Sequence, residues 1–215
     1  MKTVAKIMLA VIMVFGFAAG ASAQLTISDV CKKRAQETVG QLNDYIKGMV
    51  KKNLSLDNRN RKKDAALDLF IGKGGPYELA GVRKEGVKME TTSINAMGRE
   101  TKNTRLMTIY FKRLIDLIVR GTYTEIIITS TYFYDMDVSR VRQVDDDTFE
   151  CVVSFSQGFI GKRGENASYV DITKKDVKAY IRKIVTDAGV EYQCTLGDVS
   201  AGETQRATVS DAMNQ

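Results

Sequence analysis

The sequence predicts an α+β fold in which three N-terminal helices pack on a strongly curved, mainly antiparallel sheet. Two observations lead to this prediction. In the first half of the chain, apolar residues recur at spacings of three and four, which is typical of amphipathic helices. From Thr122 onwards the composition changes to β-branched and aromatic residues that alternate with polar ones, which is typical of strands.

The first predicted helix begins near Ser28 and ends by about Asn53. Its apolar residues form one stripe at helical spacing. They are Cys31, Ala35, Val39, Leu42, Ile46 and Met49.

A short second helix is predicted after the polar stretch LSLDNRNRKKD, and the glycine-rich segment from Gly72 to Pro76 stops it. Its apolar residues are Ala66, Leu67, Phe70 and Ile71.

A short strand and a third helix are predicted next. The segment from Gly86 to Asn95 alternates apolar and polar residues, as a strand does. Asn103 is the predicted N-cap of the third helix, and Gly121 is its predicted end. The apolar face of this helix consists of Leu106, Tyr110, Leu114 and Leu117, with Met107, Phe111 and Ile118 beside it.

The sheet is predicted from three further segments. The run from Tyr123 to Tyr134 has little helix preference and predicts one long strand. The segments 138–144 and 148–157 predict a hairpin that turns at Asp145-Asp146-Asp147. The residues of the hairpin that alternate inward are Phe149, Cys151, Val153 and Phe155.

The stretch SYVDITKKDVKAYIRKIVTDAGVEYQC, residues 168–194, fits two structures. As a helix it would have Thr173 as its N-cap and Gly189 as its end. As a hairpin it would turn at Thr-Asp-Ala-Gly. The hairpin is favoured because Lys174 and Lys175 would lie in the first turn of the helix, where the helix dipole repels cations.

The ends of the chain have distinct compositions. Lys2 and Lys6 precede an apolar run from Ile7 to Ala19 and the triplet Ala21-Ser22-Ala23, which predicts a secretory signal, residues 1–23, cleaved between Ala23 and Gln24. The apolar run is too short to favour a retained membrane anchor. Residues 24–200 are predicted to form a single domain, and residues 201–215 a flexible polar tail.

Charge and cysteine content restrict the function only weakly. The chain carries a formal net charge of +6, and ten Lys and Arg residues lie between Lys32 and Lys63 against three acidic residues. The three cysteines, Cys31, Cys151 and Cys194, are too few for a disulfide scaffold. We expect them to be buried and unpaired, although one bridge with a free thiol is the alternative in an exported protein.

The absence of histidine is more informative. It excludes a Ser-His-Asp or Cys-His nucleophile and the usual histidine-rich metal sites. The two FIGKxG segments, at 70–75 and 159–164, lack the order of a nucleotide-binding phosphate loop, so glycine-assisted element ends are expected there. The three aspartates lack the spacing of a calcium loop. No catalytic residue, metal or cofactor is therefore predicted.

The predicted elements resemble the nuclear transport factor 2-like superfamily, also called cystatin-like, in exported bacterial-type members. The resemblance rests on the first helical stripe, the segments DAALDLFI and LMTIYFKRLIDLI, and the closing strands VKAYIRKIVTDAGVEYQCTLGDV. It implies a cone-shaped fold that serves as a ligand pocket, an enzyme cavity or a protein-interaction surface. Its enzymes use an aspartate with a tyrosine or histidine, and no residue of this chain could be matched to those positions.

The leading hypothesis is an exported, non-catalytic binding or interaction protein of the cell envelope, periplasmic or secreted. Its partner would be a small apolar ligand or a protein; no nucleic acid is expected, and the processed chain would not span a membrane. The predicted ligand site is the mouth of the cone, where Tyr110 and Phe111 would meet Tyr132 and Tyr134. The alternative interpretation is that these aromatic residues only fill the core.

Two further hypotheses were considered. The first is an isomerase- or dehydratase-type enzyme with Asp116 as its general base, although pairing of Asp116 with Lys112 or Arg113 is the commoner arrangement. The second is binding of a polyanion by the basic segment Lys32 to Lys63, although such a segment is usually a solvated helix face.

Overall fold

Helices and strands follow one another along the computed structural model, which describes residues 26–79, 81–95 and 97–215. The helices are α1 (Ile27–Val50), α2 (Leu56–Leu67), α3 (Met107–Val119) and α4 (Val209–Met213). The strands are β1 (Tyr77–Leu79), β2 (Val82–Lys84), β3 (Lys88–Ile94), β4 (Glu100–Leu106), β5 (Glu125–Ser130), β6 (Asp137–Val138), β7 (Arg142–Gln143), β8 (Thr148–Arg163), β9 (Asn166–Thr186) and β10 (Gly189–Arg206).

The main sheet has the strand order β4-β3-β10-β9-β8-β5, and β6 and β7 also pair with β8. Its pairs are antiparallel except β3 and β10, which run parallel where Met89 faces Val199. Two register shifts along β9 and β10 are bulges, which bend and twist a strand pair. The predicted α+β class, with helices on a curved and mainly antiparallel sheet, is confirmed.

Helix α1 is confirmed close to its predicted bounds. Thr26 and Asp29 form a capping box at its start, in which each side chain bonds to the backbone N–H of the other. Every residue of the predicted stripe is buried, and α1 packs on β8, β9 and β10. The amphipathic pattern was sufficient to predict α1 because one face of the helix contacts the core along its whole length.

Helix α2 lies earlier in the chain than predicted. It begins at Leu56 within the polar stretch, where the Ser55 hydroxyl accepts from the backbone N–H of Asn58. Half of its residues are exposed and only Arg59 and Ala66 are buried, so the helix gives no apolar stripe. Phe70 comes after the helix and pairs with Leu196 of β10 in an isolated bridge.

The predicted start of the third helix is wrong. Asn103 lies in β4, opposite Thr91 of β3, and α3 begins only at Met107. The strand ETKNTRL has no apolar alternation because it is an exposed edge of the sheet. The predicted end is confirmed, since Gly121 takes a positive φ of 70° and donates its N–H to the Ile118 carbonyl at 3.0 Å.

The long strand predicted from Tyr123 to Tyr134 is shorter in the structure. Strand β5 ends at Ser130, and the chain then forms a single 3₁₀ turn, Phe133–Asp135. Phe133 leaves the sheet to pack on Gly40 of α1, where even an added Cβ would lie 3.0 Å from the Phe133 Cβ. Residues 131–134 have high β-propensity, but the contact of Phe133 with α1 prevents them from continuing the strand.

The predicted hairpins are confirmed. Strands β9 and β10 pair across Thr186 and Gly189, and Gly189 has φ 129°, so the hairpin interpretation of residues 168–194 is correct. Strands β7 and β8 turn at the three aspartates, where the Asp145 carboxylate accepts from the backbone N–H groups of Asp147 and Thr148. That hydrogen-bonded turn agrees with the expected polar turn.

The chain after residue 200 is ordered, contrary to the predicted tail. Strand β10 continues to Arg206, and Thr208 and Asp211 form a capping box that begins α4. Ala212 packs with Ile160, Val170 and Ile172 in a small second core. Within this five-residue helix only Ala212 is buried. One apolar residue makes no periodic pattern, so the sequence did not predict the helix.

Cys31 on α1 and Cys151 on β8 are buried, and Cys194 on β10 is half-buried. Burial raises the pKa of the Cys151 thiol to about 12, with smaller contributions from the neighbouring Cys194 and Cys31. The predicted signal, residues 1–23, and its cleavage site at Ala23 and Gln24 lie outside the described residues. Within the described part of the chain, no helix is both long and apolar enough to cross a membrane.

Candidate functional site

A cavity lies between α3 and the concave face of the sheet, and we call it the α3 cavity. Its volume is about 290 Å³. Side chains of α3, β3, β8 and β9 form its walls, together with Tyr123. The lining residues are Thr91, Thr92, Ser93, Tyr110, Leu114, Leu117, Tyr123, Gln157, Phe159, Tyr169, Asp171, Thr173 and Lys175.

Strand β9 supplies the polar floor of the cavity. Residues two apart on a strand share one face, so the odd-numbered side chains of β9 all point to the concave side. At Val177, Ala179 and Ile181 that face is apolar and fully buried in the main core. From Lys175 back to Tyr169 the same face is polar, and this change of character places the cavity at that end of the sheet.

Tyr169 and Asp171 are joined by a short hydrogen bond. The Tyr169 hydroxyl donates to the Asp171 carboxylate at 2.6 Å and accepts from the backbone N–H of Ile94 at 3.2 Å. The guanidinium of Arg206 lies 4.2 Å from the centre of the Tyr169 ring. Desolvation raises the pKa of Asp171 above its usual range, against the opposing effects of Tyr169, Lys175 and Arg206.

Lys175 is a buried cation with an incomplete set of hydrogen bonds. Lys175 is only 5% exposed, and its ammonium donates a hydrogen bond to the Glu90 carbonyl at 3.1 Å. An ammonium has three N–H donors, and among the described residues no other acceptor meets this one. Desolvation lowers the pKa of Lys175 to about 8, although Asp171 and Glu90 oppose the shift.

Two hydroxyl groups in the cavity also have spare hydrogen-bonding capacity. The Thr92 hydroxyl is buried and has no partner among the described residues. Tyr110 projects from α3, and burial raises the pKa of its phenol to about 12, so it is a neutral hydroxyl at ordinary pH. Opposite this polar floor, Leu114, Leu117 and Phe159 provide apolar walls.

The second FIGKxG segment helps to build the cavity. Phe159 lies edge-on between Tyr123, at 5.8 Å, and Tyr169, at 6.0 Å. An added Cβ at Gly161 would lie within 2.8 Å of the Tyr123 ring, so glycine is needed for that ring to lie against β8. The expectation that this segment ends a strand is confirmed, and its glycine has a packing role beside the cavity.

The four aromatic residues predicted to form one ligand site do not lie together. Tyr110 lines the α3 cavity, whereas Phe111 is fully buried in the core. Tyr132 and Tyr134 lie exposed in the loop after β5, which packs beside α1 instead. The prediction assumed that the strand continued to Tyr134, and the early end of β5 separates the two pairs.

The sequence-predicted general base is not part of the cavity. Asp116 pairs with Arg120 at 3.5 Å, one helical turn away, and it is absent from the cavity lining. The carboxylate inside the cavity is Asp171. The described residues contain no cluster of three or more side chains suited to hold a metal ion.

The basic segment surrounds the turn between α1 and α2. Lys51, Lys52, Arg61 and Lys62 are exposed there, in agreement with the solvated helix face considered above. Arg59 is buried instead, and its guanidinium donates to the Met49 and Leu54 carbonyls at the end of α1. This arginine therefore stabilises a helix end and is withdrawn from any polyanion surface.

Sequence analysis missed Tyr169, Asp171 and Lys175, although a signal was present. Val170 and Ile172 alternate with them, and this apolar pair lies on the opposite face, under α4. Further along β9 the apolar residues have odd numbers. When the apolar residues of one strand change from even-numbered to odd-numbered positions, both faces of the strand are covered by other elements. The polar residues on the covered concave face are then candidates for a site.

Comparisons with known proteins show likeness in architecture only. No protein-family model matches the chain, and a search of curated proteins found no match in sequence. Among solved structures, the Kfla4162 protein of Kribbella flavida has a TM-score of 0.39 and 8% identity, over 87% of this chain and 99% of that one. A type 2 hexachlorocyclohexane dehydrochlorinase has a TM-score of 0.37 and 10% identity, over 85% and 95%.

An NTF2-like protein with a cystatin-like fold from Novosphingobium aromaticivorans has a TM-score of 0.36 and 10% identity, over 88% of this chain and 97% of that one. A protein described as NTF2-like is thus among the matched structures. At these scores no residue and no activity is carried over to this chain.

Proposed function

We propose that this protein is an exported binding protein whose α3 cavity takes a small ligand with an apolar body and a carboxylate group. The observation that carries the proposal is Lys175, a buried ammonium that faces a cavity with N–H donors left over. Buried charges in proteins are normally paired. A carboxylate ligand would supply the missing acceptors.

The shape and lining of the cavity suit a small ligand. Its volume of about 290 Å³ lies at the lower end of the range for small-molecule sites. The leucines of α3 and the ring of Phe159 offer an apolar surface, and the polar groups converge on one side. That combination, an apolar pocket with a few placed polar groups, is typical of ligand sites.

The charges around Lys175 favour an anionic group. The Asp171 carboxylate accepts from the Tyr169 hydroxyl, and among the described residues no ion pair joins it to Lys175, which it attracts only at longer range. On the other side, Glu90 is neutralised by Lys102 at 2.5 Å. In the described part of the chain, the Lys175 ammonium therefore has no counterion within ion-pair distance.

Thermal shift and calorimetry with matched probes test the proposal. The acids 1-naphthoate and trans-cinnamate are compared with the corresponding alcohols, which have the same body without the charge. We expect the acids to stabilise the natural chain, and Lys175→Met to weaken their binding by at least about 30-fold, the ~2 kcal/mol lower bound for losing one partner of a buried charge pair. Lys174→Met is the matched control, because the neighbouring Lys174 is exposed.

Binding of the acids should also depend on pH. Lys175, with a pKa of about 8, loses its proton above that pH, so the affinity for the acids should fall as the pH rises from 8, while the affinity for the alcohols stays constant. Equal binding of acids and alcohols, or full binding by Lys175→Met, would refute the assignment of this lysine.

Export is a separate part of the proposal and rests on residues 1–23. Intact-mass measurement of the chain recovered from its native host should give a product that begins at Gln24, found outside the cytoplasm. A chain that retains residues 1–23 would show that the signal is not processed.

One observation favours a second function, namely proton transfer. Asp171 in the cavity has a raised pKa, and a carboxylate of raised pKa is a better general base near neutral pH. It would remove a proton from the carbon next to a ligand carbonyl and leave an enolate, which is reprotonated from solvent.

Exchange of 2-tetralone protons for deuterium, followed by NMR in D₂O, tests this second function. A general base would accelerate exchange, and Asp171→Asn would reduce the rate by about 100-fold. If exchange in the presence of the protein is no faster than in buffer alone, the protein does not catalyse this proton transfer, and only the binding function remains.

A further inference from the structure

A second concave surface lies beside α1, apart from the α3 cavity, and we call it the α1 groove. Its volume is about 630 Å³. One wall is a face of α1, another is the end of β5, and the third is the aromatic loop, residues 131–136. None of its lining residues is shared with the α3 cavity.

The aromatic loop is held firmly against α1. Phe133 packs on Gly40, where there is no room for a larger side chain without displacement. The Gln36 amide donates to the Met136 carbonyl at 2.9 Å, and the Asp135 N–H donates to the Tyr132 carbonyl at 2.9 Å. The loop is therefore a fixed platform in this structure.

This platform presents aromatic rings to solvent. Tyr132 is 68% exposed and Tyr134 is 64% exposed, which is unusual for large side chains. Their rings stack with centroids 5.7 Å apart and planes at 10°. Ring faces carry partial negative charge and attract the weakly positive C–H groups of a ligand.

Asn43 is the second, independent feature of the groove. It lies on α1, lines the groove and is 2% exposed, yet neither its amide N–H₂ nor its carbonyl has a partner among the described residues. A buried polar group without a partner costs about 1–3 kcal/mol. Such a group is retained more readily where a ligand completes its hydrogen bonds.

The remaining polar groups indicate the class of ligand. Gln41 and Gln215 carry amides, Glu37 and Asp44 carry carboxylates, and Lys47 carries an ammonium group. Amides both donate and accept, and carboxylates accept, which matches the hydroxyl groups of a polyol. With two carboxylates against one ammonium the lining carries a net negative charge, which disfavours a phosphate-bearing ligand.

We propose that the α1 groove binds a neutral oligosaccharide, with one sugar ring packed on Tyr132 and a sugar hydroxyl bonded to Asn43. The stacked Tyr134 keeps the platform ring in place. This site is independent of the function proposed for the α3 cavity.

A microarray of neutral oligosaccharides tests the proposal, followed by calorimetry with each sugar that binds. We expect the natural chain to bind at least one sugar, and Tyr132→Ala to reduce its affinity by at least 10-fold. Asn43→Leu should also abolish binding while the melting temperature stays the same or rises, because an apolar side chain replaces an unpartnered amide. Lys174→Met, exposed and outside both sites, is the control and should bind normally.

Three other outcomes would count against the proposal or against the role of Asn43. Absence of binding to every neutral sugar on the array would overturn the proposal, and so would binding that survives both Tyr132→Ala and Asn43→Leu. If Asn43→Leu binds normally but melts at a much lower temperature, the amide has a structural role and the assignment of Asn43 is wrong.

Discussion

Single residues in this molecule show how burial changes the properties of a charge. Lys175 and Arg59 are both buried cations, at 5% and 3% exposure. Arg59 has carbonyl acceptors from the end of α1, whereas Lys175 has one carbonyl and an open cavity. The first arrangement stabilises a helix end, and the second leaves a cation that can be neutralised by a ligand or by loss of its proton.

Replacement of Lys175 by methionine should change stability in a pH-dependent way. The pKa of Lys175 falls from 10.5 to about 8 on folding, mainly by desolvation. Between these values the unfolded chain holds more protons, so the free energy of unfolding of the natural chain rises with pH in that window. Below pH 8 the burial of this charge costs about 3 kcal/mol.

Lys175→Met should therefore be more stable than the natural chain at pH 7, and the difference should shrink as the pH approaches 10.5. Urea unfolding at a series of pH values measures this difference. Asp171, Glu90 and Lys102, which act on Lys175, are unchanged in both chains. A difference that does not vary with pH would contradict the desolvation of Lys175.

Loss of the Arg59 guanidinium should destabilise the first helix. Arg59→Met keeps the length of the side chain but leaves the Met49 and Leu54 carbonyls without their donor, and we expect a cost of about 2–3 kcal/mol. Arg61→Met, on the exposed side of α2, the helix that carries both arginines, should cost less than about 0.5 kcal/mol. Equal effects of the two changes would show that Arg59 has no special role.

At the scale of elements, the sequence predicted the parts that bury one continuous face. The stripe of α1 was predicted because it meets the core with a single helical periodicity, and the β9–β10 hairpin because of its turn sequence and the two lysines that disfavour a helix start. Strand β4 and helix α2 were missed or misplaced because their exposed residues follow no apolar pattern. The site could not be assembled from the sequence, since α3, β3 and β9 meet only through the tertiary fold.

The docking of α4 depends on one glycine. An added Cβ at Gly158 would lie 2.8 Å from the Ala212 carbonyl oxygen, which also accepts from the Thr129 hydroxyl. Gly158→Ala should therefore detach α4, seen as faster amide exchange over residues 207–215 in hydrogen exchange mass spectrometry.

Gly202→Ala is the matched control for this change. Gly202 is also a strand glycine, and its added Cβ would make only an ordinary contact at 3.5 Å. Protection of residues 207–215 that survives Gly158→Ala would mean that α4 does not dock as described.

At the scale of the whole molecule, the concave side of the sheet is divided along β9. Beneath α1 it is a packed core, in which Val177 and Ile181 are fully buried. Beneath α3 it remains an open cavity with a polar floor. The same face of the sheet therefore contains both a packed core and an open pocket.

A crystal structure of the protein with bound 1-naphthoate would show whether the α3 cavity receives a carboxylate at Lys175. We expect the ligand between α3 and β9, with a carboxylate oxygen ~2.7–2.9 Å from the Lys175 Nζ and the ring system against Leu114 and Phe159. A naphthoate bound elsewhere, or one that turns its carboxylate away from Lys175, would contradict it.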